Sequence, residues 1–248
     1  MELKAKTALV TGGAVRIGRA ICEALAERGC NVIVHYNRSS AEARTLCRRL
    51  EGMGVAAFTV RADLASPAEC EAMMAAALAK TGRLDVLVNN AAVFHKDTLS
   101  TLTRKKLMAE LEVNLVAPIV LTRAFLTIHS RSRRGGISGK IVNLLDRRIV
   151  GSDPSCVPYV LSKKMLAEFT RTAALELAPA ITVNGVAPGA ILPPTGKGLK
   201  RVRELAGASP LKRQCTPADV AQAVVFLLES DAITGQTLFV DGGQHLLA

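Results

Sequence analysis

The chain alternates two hydrophobic rhythms. Thr7–Val10 is a short apolar run of strand character, and Ile17, Ala20, Ile21, Ala24 and Leu25 follow it at helical spacing. Gly29 stops that helix, and Asn31–His35 reads as a second strand. Ala41–Leu50 sets Ala43, Leu46 and Leu50 on one helical face, with Gly52 and Gly54 after it, and Val55–Arg61 is a third strand. Ser66-Pro67-Ala68-Glu69 has the capping-box pattern with proline at the first helical position, opening an alanine-rich helix to about Lys80. Leu84–Val88 is a continuous apolar strand, as suits a parallel sheet covered on both faces. Arg104 to Ile128 carries one long helical pattern. Pro118 within it has no N–H for the carbonyl of Asn114, which predicts a local kink or water site. Lys140–Leu145, a helix from Tyr159 to about Leu177, and Ile181–Ala187 continue the alternation. Thr216-Pro217-Ala218-Asp219 caps the last helix, and Leu238–Val240 closes the sheet.

Strand–helix alternation of this kind builds an α/β fold: a doubly wound parallel sheet with helices on both faces and ligands beyond the strand C-termini. With no repeat, linker or break in composition, residues 1–248 read as one domain. Ile191 to Gly198 holds two prolines and two glycines without periodicity, so a lid is expected near 190–212. Hydrophobic residues make up 49% and aromatics 3%, without tryptophan, so the core must be aliphatic. No uninterrupted apolar stretch approaches a membrane span and no signal-peptide pattern opens the chain. Six cysteines without Cys-x-x-Cys spacing suit a reducing, cytoplasmic compartment. The four histidines form no ligand cluster, so no metal is expected. The net charge of +11 is spread along the chain without interleaved aromatics, which argues against nucleic acid. Its densest run, Arg131-Ser132-Arg133-Arg134, reads as a solvated loop, and the remaining excess favours anionic ligands.

The turn between the first strand and helix carries Gly12, Gly13 and Gly18. A glycine-rich strand-to-helix turn lets backbone approach a ligand and aims free N–H groups and the helix dipole at a pyrophosphate. An NAD-type site places a carboxylate about twenty residues further on. None occurs from Cys30 to Ala41; His35-Tyr36-Asn37-Arg38-Ser39-Ser40 offers a guanidinium and two hydroxyls instead, and Arg16 adds a second guanidinium within the turn. Planar forks suit a 2′-phosphate, so the expected cofactor is NADPH/NADP+. Ser39 or Ser40 has the alternative role of capping the next helix. Asp63, with Leu64 after it, either accepts from an adenine amino group or caps a turn.

Tyr159 and Lys163 stand one helical turn apart, which places them on one face. An ammonium there stabilises a phenolate and draws the phenol toward neutrality, making a proton donor for hydride reduction. Thr11-Gly12-x-x-x-Arg16-x-Gly18, Asn89-Asn90-Ala91, Asn114, Tyr159-x-x-x-Lys163 and Pro188-Gly189 together resemble the short-chain dehydrogenase/reductase family over Thr7 to Gly243. Most members carry Gly at the position of Arg16 and Ser at that of Asp146. Both exchanges, with His35-x-x-Arg38-Ser39, resemble the pteridine reductase branch, and Phe94 matches the aromatic that sandwiches a pterin there. The resemblance implies about seven strands in the Rossmann-type order 3-2-1-4-5-6-7, a homotetramer, and NADPH-dependent reduction of a pterin or dihydrofolate-like ring. It implies catalytic Asp146, Tyr159, Lys163 and Asn114, with Tyr159 and Asp146 supplying protons. Phe94, Asp146 and Tyr159 would hold substrate. Cofactor would be held by Gly12, Arg16, Ile17, Gly18, His35, Tyr36, Asn37, Arg38, Ser39, Asp63, Leu64, Asn90, Ala91, Ala92, Tyr159, Lys163, Pro188 and Gly189. Arg147 and Arg148 directly follow Asp146, and their orientation decides how it acts. The alternatives are a carbonyl reductase, such as one acting on 3-oxoacyl thioesters, and a non-enzymatic NADP(H)-sensing module.

Overall fold

Seven parallel strands pair in the order β3-β2-β1-β4-β5-β6-β7 in a computed structural model that describes residues 1–129, 137–192, 204 and 207–247. They are β1 (Thr7–Val10), β2 (Asn31–Tyr36), β3 (Ala57–Arg61), β4 (Val86–Asn89), β5 (Gly139–Leu144), β6 (Ile181–Pro188) and β7 (Thr237–Val240). The helices are α1 (Arg16–Glu27), α2 (Ser40–Glu51), α3 (Pro67–Thr81), α4 (Arg104–Leu111), α5 (Ala117–His129), α6 (Val157–Leu177) and α7 (Pro217–Glu229). This is the Rossmann-type sheet and strand order expected.

Alternation within the strands explains the two covered faces. Ala8, Val10, Val32, Val34, Val86, Val88 and Val142 point into one apolar cluster with residues of α1, α2 and α7. Leu9, Ile33, Leu87 and Ile141 point into the other, with residues of α3, α5 and α6. A side-chain period of two thus fills both layers from one apolar run. The order reverses direction between β1 and β4, which pair through Leu9 and Leu87. Such a switch point leaves a crevice at the strand C-termini.

Local signals mostly became the structures they specify. Thr216 and Asp219 form a reciprocal capping box at α7. At α3 only half of the expected box forms: the Ser66 hydroxyl accepts from Glu69 N, but Glu69 turns to accept from Asp63 N (2.8 Å). Ser39 occupies the cap position of α2 without a side-chain capping bond. The missing Pro118 N–H appears as a π-helical turn, Glu112–Val116, between α4 and α5. The continuous helix Arg104–His129 is long and apolar enough to cross a membrane by length and composition; in the fold it buries Ala117, Leu121 and Phe125 in the core. Most of the lid expected near 190–212, and the Arg131–Arg134 run, lie outside the described residues.

Candidate active site

The glycine turn is built by close approach. Gly12 has φ +59, and a Cβ on Gly18 would lie 2.2 Å from the Gly12 carbonyl oxygen and 2.6 Å from Asn90 Nδ2. No other residue type fits position 18 without opening the turn. Asn90 locks the turn against the end of β4, its Nδ2 donating to Thr11 O (2.8 Å) and Gly12 O (3.2 Å). The Thr11 hydroxyl accepts from Asn90 N (2.9 Å) and Ala91 N (3.0 Å). Arg16 is exposed, opens α1 at φ +56, and so holds a left-handed conformation that favours glycine. Backbone strain kept in a non-glycine residue clusters at functional positions.

His35 is where the structure departs from the expected 2′-phosphate segment. Its ring is 2% exposed; Nδ1 accepts from Gly12 N (2.9 Å), so Nε2 carries the hydrogen and donates to Ala62 O (3.1 Å). Burial holds its pKa below the ordinary histidine value. Both ring nitrogens are spent bracing the turn, so His35 supports this corner from behind. Tyr36, Asn37 and Ser39 are half-buried at the end of β2, and Arg38 is exposed with no side-chain partner among the described residues. Asp63 takes the turn-capping role, its Oδ1 accepting from Ala65 N (3.1 Å). Leu64 is buried in the core beneath it. Ile17 is half-buried behind the turn, and Ala92 is exposed past the end of β4. Gly189 closes against Asp241, which a Cβ would meet at 2.8 Å, while Pro188 ends β6. This cradle of close-packed glycines beside the exposed Arg38 guanidinium fits a phosphorylated dinucleotide.

The chemistry-bearing residues converge beyond β5. Tyr159, near the start of α6, donates its phenol hydrogen to Asp146 Oδ2 at 3.0 Å. Burial, then the Asp146 carboxylate, push that phenol well above the ordinary tyrosine value. The expected shift toward neutrality is therefore reversed: burial and the Asp146 carboxylate outweigh the nearby Arg148 guanidinium, which pulls the other way. Lys163 is buried with its Nζ donating to Leu144 O at 2.6 Å, and burial lowers it to about 8 against the partly restoring pull of Asp146 and Glu110. Phe94 is 42% exposed and meets Tyr159 edge-on, with centroids 4.8 Å apart and planes at 87°.

Arg148 points inward. Its main-chain N donates to Asp146 Oδ1 (2.8 Å) and its Nη1 to both carboxylate oxygens (3.2 Å), while Nε reaches Asp153 Oδ2 (2.9 Å). Burial opposes its charge, but Asp146 and Asp153 outweigh that and hold it more firmly protonated than an ordinary arginine. Asp146 is thus engaged as an acceptor from three groups. Arg147 makes no side-chain hydrogen bond among the described residues.

Asn114, in the π turn, fixes the loop after β4. Its Oδ1 accepts from Val93 N (2.9 Å), and its Nδ2 donates to Val93 O (2.9 Å), Glu110 Oε2 (2.8 Å) and Ser162 Oγ (3.1 Å). Two of these partners escaped sequence reasoning. Glu110 is 1% exposed and also accepts from His95 N (2.7 Å); its signal was an i, i+4 spacing to Asn114. Ser162, between Tyr159 and Lys163, is buried and gave no signal of its long-range partner.

A family model described as enoyl-(acyl carrier protein) reductase matches residues 13–245. The chain belongs to the short-chain dehydrogenase/reductase family. This short-chain dehydrogenase/reductase is 35% identical to 3-oxoacyl-[acyl-carrier-protein] reductase FabG of Staphylococcus epidermidis, covering 97% of this chain and 99% of that one. It is 34% identical to 3-oxoacyl-[acyl-carrier-protein] reductase of Synechocystis, with 97% of each covered. Among solved structures, FolM alternative dihydrofolate reductase 1 from Brucella canis, complexed with NADP, superposes with a TM-score of 0.92 at 34% identity, over 99% of this chain and 96% of that one. The Brucella suis protein in complex with NADP gives the same TM-score and identity. The chain is a nicotinamide-dependent oxidoreductase. The names of its relatives divide between two substrate classes.

Proposed function

We propose that this short-chain dehydrogenase/reductase is an NADPH-dependent reductase of a pterin or dihydrofolate-like ring. The observation that carries the reading is the Tyr159–Asp146 hydrogen bond at 3.0 Å. A phenol meets a carboxylate where a ketone reductase uses a hydroxyl to polarise the carbonyl oxygen. A ketone offers no N–H to a carboxylate, whereas a reduced or reducible nitrogen heterocycle does. The Brucella dihydrofolate reductases, bound to NADP, support the same class.

A cofactor held with its pyrophosphate at the glycine turn would supply the hydride from its reduced nicotinamide. Arg16 and Arg38 would hold the phosphates, with Thr11, Asn90 and His35 keeping the turn in shape. Lys163 would hold the ribose hydroxyls from the floor of the site. Tyr159, kept protonated by burial, donates its proton to the ring nitrogen beside the carbon that is reduced, and water restores that proton. Asp146 then accepts from a substrate N–H in place of the phenol. Phe94, exposed above the pair, gives the ring a face to pack on.

The 3-oxoacyl thioester reading is favoured by the names of the curated relatives and opposed by Asp146. A homotetramer and a cytoplasmic location belong to the same proposal; exposed Leu161 and Met165 on α6 offer apolar surface to a second copy. The test is a panel of oxidised pterins, dihydrofolate and a 3-oxoacyl thioester, followed by NADPH absorbance. Turnover of the thioester with the heterocycles untouched overturns the reading.

A further inference from the structure

Arg148 ties together groups that catalysis needs in one place. Its guanidinium is pinned between two carboxylates, Asp146 through Nη1 and Asp153 through Nε. Asp153 is itself fixed, its Oδ1 accepting from Ser155 N (3.0 Å) and Ser155 Oγ (2.7 Å). The guanidinium carbon lies 5.8 Å from the centroid of the exposed Phe94 ring. Its second terminal nitrogen, Nη2, makes no hydrogen bond among the described residues. Beside one exposed aromatic ring the fold has therefore brought a phenol O–H and an unspent guanidinium N–H, with one carboxylate bonded to both side chains.

We propose that Arg148 positions Asp146 against Tyr159 and supplies a second, substrate-facing donor, so that the site selects planar rings carrying an N–H next to a carbonyl oxygen. The proposal rests on reading the site as a reductase of a nitrogen heterocycle. When Tyr159 turns its proton to the substrate, Asp146 Oδ2 loses one partner and Arg148 keeps the carboxylate from rotating away. The freed oxygen accepts from the ring N–H, and Nη2 donates to the neighbouring carbonyl. Acceptor and donor side by side complement a cyclic amide edge; a 3-oxoacyl chain presents carbonyls without that N–H. A planar fork fixes two carboxylates and retains a donor, which an ammonium point charge does not do. The main-chain bond from position 148 to Asp146 survives any substitution there except proline, so the short turn Arg147–Ile149 keeps its cap.

Arg148→Ala and Arg148→Lys test this, with kcat, KM, NADPH affinity and melting temperature measured for each. Arg148→Ala should lose about tenfold or more in kcat/KM on dihydropterin, with NADPH affinity within about twofold of wild type. Arg148→Lys should recover little of that loss, and millimolar guanidinium ion, but not ammonium ion, should restore part of it to Arg148→Ala. Activity of Arg148→Ala within about twofold of wild type overturns the proposal. So does a loss shared equally by NADPH affinity and melting temperature and untouched by guanidinium, because that is a structural role. If wild type reduces only a 3-oxoacyl thioester, the heterocycle reading fails; an Arg148→Ala loss on that thioester would keep the positioning role and discard the N–H selection.

Discussion

Replacing His35 by leucine separates bracing of the cofactor turn from contact with the cofactor. The substitution removes the acceptor for Gly12 N and the donor to Ala62 O, at 2.9 and 3.1 Å. Ala62 is buried, so its orphaned carbonyl costs about 1–3 kcal/mol; Gly12 is half-buried and regains part of its bond from water. The sum is about 2–4 kcal/mol. At about 2–4 °C per kcal/mol for a chain of this size, the melting midpoint should fall by about 4–16 °C. Calorimetric titration should show NADPH and NADH weakened by the same factor, since the turn serves the pyrophosphate of both. A loss confined to NADPH, or an unchanged melting midpoint, refutes the bracing role. The wild type carries a pH signature with the same origin. Burial lowers the folded-state pKa of His35 below 6.5, so the unfolded chain takes up a proton that the folded ring refuses. Stability is full above about pH 6.5 and declines as pH falls below it. His129, lowered by burial too, adds a decline of the same sign. His35→Leu should flatten this acid slope without abolishing it.

Arg38→Ala should weaken NADPH by about tenfold to a hundredfold and leave NADH nearly unchanged, as loss of one charge-assisted bond requires; equal losses in titrations of both cofactors would remove Arg38 from the 2′-phosphate site. Tyr159→Phe should fold and bind cofactor but lose about 10²–10⁴-fold in turnover; near-normal turnover would show that another group is the proton donor. Gly18→Ala should abolish tight binding of either cofactor, because its Cβ would lie 2.2 Å from Gly12 O; affinity retained within about threefold would mean that the turn opens at little cost.

The fold was legible because each strand carries its own evidence. Thr7–Val10, Ile141–Leu144 and Val183–Ala187 send apolar side chains to both faces, which a covered parallel sheet accommodates. An irregularity at Asn114 was legible from Pro118, since a missing N–H is a local fact, but its π-helical form was not. What escaped was long-range. Glu69 looked like the second half of a capping box but prefers Asp63 N, across a turn. Histidine within a polar segment after glycines looked like a phosphate ligand, yet its position on β2 aims the ring inward at Gly12. The Tyr159 phenol was judged from its lysine neighbour alone, and burial proved the larger influence. Arg148 could be placed next to Asp146 by sequence, but only the turn Arg147–Ile149 shows that it folds back on that carboxylate while Arg147 does not.

The most direct measurement of the central claim is Asp146→Ser, assayed for NADPH consumption with dihydropterin and with a 3-oxoacyl thioester. Serine retains a hydroxyl beside Tyr159 but offers a ring N–H no charged acceptor and leaves Arg148 without its carboxylate. The account predicts a loss of about 10²-fold or more on the heterocycle, unchanged NADPH affinity, and thioester reduction equal to or above that of wild type. Heterocycle reduction as fast as the parent, with the same pH profile, would contradict the account and make the chain a general carbonyl reductase.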